Sequence, residues 1–301
     1  MGTLRFDGQT VIVTGAGGGL GRAHALEFAR RGANVVVNDL GGAVDGSGGS
    51  SEAAKKVVAE IETLGGKAIA NGASVTDDAG VAGMVRQAID AFGRIDVLIN
   101  NAGVLRDKSF SKMELPDFDF VLDVHLMGSV KCTKAVWQIM RDQGYGRIVM
   151  TTSSSGLYGN FGQSNYGAAK LALVGFMNTL KLEGQKDDIR VNAISPVAAT
   201  RMTENLMPEP MLEALKPEYV TPGVIYLASQ DAPTGVVLTA GAGVFAVAKI
   251  HETEGLYLAR DGVSAEEVRD NWAKISDPAG QVAYFAGSEQ TQKFMRLAFQ
   301  G

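Results

Sequence analysis

The chain has 301 residues, 46% of them apolar and 20% charged, which suits a folded globular protein and excludes a disordered one. With 33 acidic against 28 basic residues its net charge is −5, so a nucleic-acid partner is not expected. A lone cysteine, Cys132, excludes an internal disulfide, and three histidines with no cysteine nearby speak against a zinc site.

From the N-terminus, residues 1–6 lack the apolar run of a signal peptide, and no later stretch is apolar enough to cross a bilayer. A cytoplasmic protein with no membrane partner is therefore expected. Residues 10–14, 34–38, 67–71, 96–100, 147–152, 190–194 and 236–239 read as strands, several of them apolar throughout. Such runs suit strands buried on both faces of a parallel sheet. Residues 21–31, 51–64, 77–92, 118–142, 166–183 and 222–229 read as helices between them. The alternation predicts a doubly wound α/β fold.

Two segments stand outside that pattern. Residues 41–50 (Gly-Gly-Ala-Val-Asp-Gly-Ser-Gly-Gly-Ser) read as a flexible surface loop, with a phosphate nest as the alternative. After Gly243 the strand pattern stops. Residues 244–301, with one helix signal at 265–275, read as an extension packed on a main domain of residues 1–243.

The first strand runs into Thr14-Gly15-Ala16-Gly17-Gly18-Gly19-Leu20-Gly21 and then a helix. At such a junction the helix N-terminus offers backbone N–H groups and partial positive charge to a pyrophosphate. Gly15 would make the tight turn, Gly19 admit the phosphates, and Gly21 let helix pack on strand. The second strand ends at Asn38-Asp39, 24 residues beyond Gly15. A carboxylate there accepts from the hydroxyls of an adenosine ribose and repels a 2′-phosphate. No Arg or Lys flanks Asp39 or enters the glycine turn before Arg22, so NAD is favoured over NADP. An ordinary turn residue is the other reading of Asp39.

Tyr166-Gly167-Ala168-Ala169-Lys170 puts a tyrosine and a lysine on one helix face, i to i+4. A free phenol ionises near pH 10, and a neighbouring ammonium lowers that value. The pair can serve as general acid/base for an alcohol–ketone couple without a metal. Ser153, 13 residues earlier and just past the fifth strand, can hydrogen-bond the substrate oxygen. Taken alone, Tyr-x-x-x-Lys occurs by chance on many helices.

Together these residues resemble the short-chain dehydrogenase/reductase family. The glycine turn, Asn100-Asn101-Ala102-Gly103 after the fourth strand, Ser153, Tyr166 and Lys170 fall in the family's order and spacing, over residues of about 5 to 243. The resemblance implies a Rossmann-like, doubly wound parallel seven-stranded sheet, assembled as a homodimer or tetramer. It implies hydride transfer with Ser153, Tyr166 and Lys170 as catalytic residues, the last two also touching NAD. It places Gly15, Gly19, Leu20, Gly21, Asp39, Ser74, Val75, Asn101, Ala102 and Gly103 against the cofactor. Ala198, Ala199 and Thr200 would lie near its carboxamide.

Within the family, residues 38–42, 105–110, 158–163, 214–220 and 271–274 resemble the branch that oxidises (3R)-3-hydroxyacyl-CoA to 3-oxoacyl-CoA with NAD. Some members of that branch also take steroid alcohols. The expected substrate is thus an acyl-CoA or steroid alcohol, including sterol side-chain thioesters and 17β-hydroxysteroids, and the expected protein a stand-alone dehydrogenase. A 3-oxoacyl reductase of fatty-acid synthesis is the alternative enzyme, which Asp39 disfavours because such reductases use NADPH. A catalytically idle nucleotide-binding sensor is the alternative outside enzymes, disfavoured by the intact Ser153, Tyr166 and Lys170.

Several positions depart from the family pattern. His125 stands where most members carry an asparagine that holds a relay water; a histidine satisfied in the core is the alternative. Ser74-Val75 replaces Asp-Val beside the adenine, and Pro196-Val197 replaces Pro-Gly before the carboxamide contacts. Met202, Met207 and Met211 fall where the family carries a substrate lid; thioethers there would adapt to varied acyl shapes or simply pack. Arg106, Lys108 and Arg201 are candidate partners for coenzyme A phosphates.

Overall fold

The computed structural model describes residues 2–198, 209–258 and 262–300. Strand β1 (Thr10–Thr14) leads through the glycine turn to α1 (Gly19–Arg30) and β2 (Asn34–Asn38). Then come α2 (Glu52–Thr63), β3 (Lys67–Asn71), α3 (Asp78–Phe92) and β4 (Val97–Asn100). Helix α4 (Leu115–Leu122) passes through a π-helical turn, Asp123–Met127, into α5 (Gly128–Gln143). β5 (Gly146–Thr151), the short α6 (Ser154–Tyr158), α7 (Ser164–Glu183) and β6 (Ile189–Val197) follow. After α8 (Glu209–Ala214) and α9 (Thr221–Leu227), strands β7 (Val237–Gly241) and β8 (Val244–Ala248) complete the sheet.

The strands order β3-β2-β1-β4-β5-β6-β7-β8, parallel from β3 through β7. The chain returns from β3 to place β4 beside β1. That reversal opens a crevice at the carboxyl ends of β1 and β4, where such sheets bind ligands. Alternation along the strands sends Val11, Val13, Val35, Val37, Val97, Ile99 and Val149 into a core with Phe28, Ile61 and Val224. Their neighbours Ile12, Val36, Leu98, Ile148 and Met150 are equally buried. Both faces are dry, so these strands read as unbroken apolar runs.

The sheet has eight strands rather than the expected seven. Ala242 and Gly243, with φ of 51° and 76°, form a two-residue link between β7 and β8, and so short a link allows only an antiparallel hairpin. Alanine in the first left-handed position hides the Asn-Gly or Asp-Gly signal by which a hairpin is read. The expected end of the sheet at Gly243 therefore falls inside a hairpin.

Residues 1–247 and 248–301 form two compact units. In the second, α10 (Ala265–Asp270) and α11 (Trp272–Ile275) divide the expected helix at Asn271. Helix α12 (Gly287–Gln300), absent from the sequence reading, carries Lys293, whose ammonium donates to the Glu252 carboxylate and the Thr253 carbonyl, each at 2.6 Å. Glu252 also forms an antiparallel bridge with Val282. Among the described residues no helix is long and apolar enough to cross a membrane.

Helix α1 is pinned to α9 by a buried hydrogen bond of 2.9 Å between His24 Nδ1 and Thr221 Oγ1. Because the Thr221 hydroxyl donates onward to the Pro217 carbonyl, the His24 Nδ1–H is the donor. Burial pushes this imidazole from 6.5 down to about 3. The unfolded chain thus takes up the proton first, and stability is lost as pH falls from 6.5 toward 3. In urea unfolding at pH 7 and pH 4.5, the wild type should lose about 2–3 kcal/mol more than His24→Gln. Equal losses would remove His24 from the acid response.

Candidate active site

One side chain from each of β1 and the β4 loop locks the crevice together. Thr14 Oγ1 accepts from the backbone N–H groups of Asn101 (3.0 Å) and Ala102 (3.1 Å). In return, Asn101 Nδ2 donates to the carbonyls of Thr14 (3.0 Å) and Gly15 (3.1 Å). Gly15 adopts φ 63°, and a Cβ on it would come within 2.8 Å of Ala102 Cα. A Cβ on Gly21 would lie 2.2 Å from the Gly15 carbonyl oxygen, so Gly21 does allow helix to pack on turn. Gly19 opens α1, and Leu20 beside it packs on the core. Gly18 caps that helix without a side-chain hydrogen bond, which suits an anion at its first N–H groups.

Asp39 lies against the same turn. Its Oδ2 accepts from the Gly17 N–H at 2.7 Å and its Oδ1 from the Gly41 N–H at 2.6 Å. Gly17, which the sequence reading did not single out, is what admits the carboxylate: a Cβ there would meet Asp39 Cγ at 2.7 Å. Its only signal is an extra glycine in an already glycine-rich turn. Arg22, the first cation after the turn, is held by Glu60 at 3.0 Å. The cradle therefore fits an adenosine ribose.

The remaining expected cofactor contacts are mixed. Ser74 Oγ is tied to Thr76 Oγ1 at 2.8 Å, while Val75 is buried against Gly128. Ala198 is half-buried against the core. Ala199, Thr200, Arg201, Met202 and Met207 lie outside the described residues, and Met211 falls in α8.

Ser153 leaves β5 as the N-cap of α6, and its Oγ accepts from the Ser155 N–H at 3.2 Å. Tyr166 hydrogen-bonds Ser153 from the first turn of α7. Lys170, one turn on and fully buried, donates from Nζ to the Thr151 carbonyl at 2.6 Å and lies 5.3 Å from the Tyr166 ring centroid. The three residues lie together where β5 ends and α7 begins. Their electrostatics differ from the expectation. Burial pushes the Tyr166 phenol upward, the Ser153 hydrogen bond offsets only part of this, and the Asp107 charge raises it further. Burial also brings Lys170 down to about 7, so it is only about half ammonium at neutral pH.

His125 occupies the π-helical turn, a feature that often marks functional sites. Its Nε2 lies 2.8 Å from the Val104 carbonyl and 3.1 Å from the Val104 amide, and its Nδ1 is buried without a hydrogen-bond partner. The ring meets Tyr166 edge to face, centroids 5.1 Å apart. Burial, with the Lys170 charge, holds the imidazole neutral. Gly103 is required here as well, since a Cβ would come within 2.3 Å of His125 Cε1. His125 is thus a core residue by burial and a site residue by contact.

The short chain dehydrogenase family model matches residues 9–210. The chain belongs to that family. It is 53% identical over 277 residues to peroxisomal multifunctional enzyme type 2 of Mus musculus, covering 91% of this chain and 37% of the mouse protein. Full-length peroxisomal multifunctional enzyme type 2 of Drosophila melanogaster is similar in structure, with a TM-score of 0.83 and 38% identity over 99% of this chain and 50% of that one. A 7α-hydroxysteroid dehydrogenase solved with NADH and 7-oxo glycochenodeoxycholic acid gives a TM-score of 0.72 and 28% identity, over 81% of this chain and 98% of that one. The chain spans between 31% and 61% of the length of the curated multifunctional enzymes it matches.

In this short-chain dehydrogenase the glycine-rich insertion is not the loose loop expected. Ser50 N–H bonds to the Leu40 carbonyl (2.7 Å), Ala43 N–H to Ser47 (2.8 Å), and Leu105 N–H to Val44 (3.0 Å). Arg106 and Lys108, candidates for coenzyme A phosphates, are both paired with Asp117, at 2.8 and 3.1 Å. Both cations are thus paired within the chain. The packing of the turn is testable. Gly21→Ala should destabilise the protein by about 1–3 kcal/mol in urea unfolding, because the oxygen it meets is backbone. Gly83→Ala in α3, where a Cβ meets nothing within 4 Å, is the control and should be neutral or stabilising. Equal effects at the two positions would show that the turn is not closely packed.

Proposed function

We propose that this chain oxidises (3R)-3-hydroxyacyl-CoA to 3-oxoacyl-CoA with NAD, and takes sterol side-chain CoA thioesters or 17β-hydroxysteroids as related alcohols. The observation that carries the reading is the meeting of Tyr166, Ser153 and Lys170 at the sheet edge that also holds Asp39 against the glycine turn. The substrate class is supported by 53% identity to a multifunctional enzyme over 91% of the chain. Asp39, with Arg22 already paired, supports NAD and disfavours an NADPH-dependent 3-oxoacyl reductase. A homodimer or tetramer in the cytoplasm belongs to the same reading, and the single buried cysteine suits a reducing compartment.

Residues 15–21 and Asp39 would hold the adenosine half of NAD, and Ser74, Val75, Asn101, Ala102 and Gly103 would line it. When bound, NAD supplies the hydride acceptor. Tyr166 Oη takes the proton of the substrate alcohol, and the Ser153 hydroxyl holds the same oxygen. Lys170, when protonated, favours the phenolate. Burial raises the phenol, so the active base accumulates only as pH rises. Oxidation should therefore accelerate from pH 7 toward pH 10. Tyr166→Phe should cost about 10²–10⁴-fold in kcat while leaving NAD binding nearly intact. A flat pH profile together with unchanged turnover would remove Tyr166 as the base.

The first assay offers (3R)- and (3S)-hydroxyacyl-CoA with NAD and with NADP, and follows absorbance of the reduced nicotinamide. Reduction of NAD on the (3R) thioester alone supports the reading; silence on both thioesters overturns it. Asp39→Ala combined with Leu40→Arg should shift the NAD/NADP ratio of kcat/KM toward NADP by about tenfold or more, from charge reversal beside the ribose. An unmoved ratio would take Asp39 off the ribose.

A further inference from the structure

Three consecutive charged residues, Arg106, Asp107 and Lys108, follow the β4 loop, and the fold sorts them by sign. The two cations turn away from the site to Asp117, and Arg106 also lies over the Phe120 ring at 4.2 Å. Asp107 turns the other way. Its Oδ2 accepts from Gln163 Nε2 at 2.6 Å, and it has no ion pair among the described residues. Backbone bonds hold it there: the Lys108 N–H donates to the Gly162 carbonyl at 2.9 Å, and Asn165 Nδ2 donates to the Arg106 carbonyl at 3.1 Å.

Gln163 is the N-cap position of α7, three residues before Tyr166 and on the same side of the helix. Its orientation is set by its neighbours. Oε1 accepts from Ser155 Oγ at 2.7 Å and from Asn160 Nδ2 at 3.1 Å, so Nε2 must face Asp107. Ser155 in turn donates its N–H to Ser153 Oγ. An amide nitrogen has two hydrogens, and Asp107 uses one. The other remains for a ligand at the rim of the Ser153–Tyr166 site. The Asp107 charge also reaches that site, since it raises the Tyr166 phenol.

We propose that Asp107 and Gln163 select substrates with a neutral carbonyl near the carbinol. Gln163 donates its second amide hydrogen to the thioester carbonyl, two carbons from the reacting centre. Asp107 repels a carboxylate at that position. The class accepted is the 3-hydroxyacyl thioester, and the class rejected is the free 3-hydroxy acid of the same length. This inference rests on the function proposed above. It adds to it a discrimination between two compounds with the same carbinol.

The test measures kcat/KM with NAD for a (3R)-hydroxyacyl-CoA and for the free (3R)-hydroxy acid of equal chain length. The wild type should prefer the thioester by about 100-fold or more. Asp107→Asn keeps the shape and an acceptor for Gln163, and should cut that preference at least tenfold, chiefly through a lower KM for the acid. Gln163→Leu should raise KM for the thioester about tenfold, with a smaller change in kcat. NAD dissociation constants of both variants should stay within about twofold of wild type, which a general disruption of the site would not allow. If Asp107→Asn slows both substrates equally, the residue is structural and the inference fails. It fails equally if the wild type does not discriminate. A wild type silent on the thioester but active on another alcohol overturns the proposed function and this inference with it. Turnover of the thioester with an unmoved ratio sinks the inference alone.

Discussion

Two carbonyls at the end of β1, those of Thr14 and Gly15, sit where the chain leaves the sheet and turns back on itself, so no strand can satisfy them. Asn101 from the β4 loop supplies both donors, and the Thr14 hydroxyl repays two of that loop's own N–H groups. Everything on the ligand side of the sheet is built outward from this exchange. It sets the glycine turn against Ala102, which only glycine at position 15 permits. It also fixes the path of residues 101–104, which carries Gly103 under the His125 ring and Val104 onto its Nε2. His125 then meets the edge of Tyr166. The glycine turn and Tyr166 are thus held by one chain of contacts that begins with four hydrogen bonds.

Burial decides the protonation of the site so assembled. Lys170 and His125 are both driven toward their neutral forms by burial, and Tyr166 is driven toward its phenol. The sequence expectation of an ammonium that simply lowers the phenol counts only the charge pair and leaves out the solvent lost by both groups. In this fold the Lys170 ammonium is held by the Thr151 carbonyl rather than by the phenol itself. Its Nζ stands 5.3 Å from the Tyr166 ring centroid.

Much of this was legible in the sequence. Strands 10–14, 34–38 and 67–71 coincide with the observed ones residue for residue. The first two do so because burial on both faces leaves a continuous apolar run. The i, i+4 spacing put Tyr166 and Lys170 on one face, as any helix must. What could not be read depends on partners distant in sequence. The contact of Gly17 with Asp39 spans two elements. The π-helical turn at 123–127 lies inside a helical pattern that composition leaves unbroken. β8 is masked by an alanine in a left-handed turn, and α12 by a polar opening, Gly287-Ser288-Glu289-Gln290-Thr291-Gln292. The pairing of both Arg106 and Lys108 with Asp117 follows no helical or strand spacing, so it could not be read from sequence alone.

The glycine-rich insertion ties these features into one scaffold. Its first residue, Gly41, donates to Asp39, and farther along the carbonyls of Val44 and Asp45 accept from Leu105 and from the Arg106 side chain. A Cβ on Gly46 would strike the Phe120 ring at 2.7 Å, so the loop approaches α4 as closely as the ring beneath Arg106 allows. Asp39 on one side and Leu105 and Arg106 on the other are therefore braced by the same ten-residue stretch, 41–50. A surface loop with so many glycines would be expected to lose order first. Here the glycines serve close approach, and the brace gains its stiffness from hydrogen bonds to both ends of the crevice. On the function proposed above, cofactor choice and substrate choice would share this single structural support.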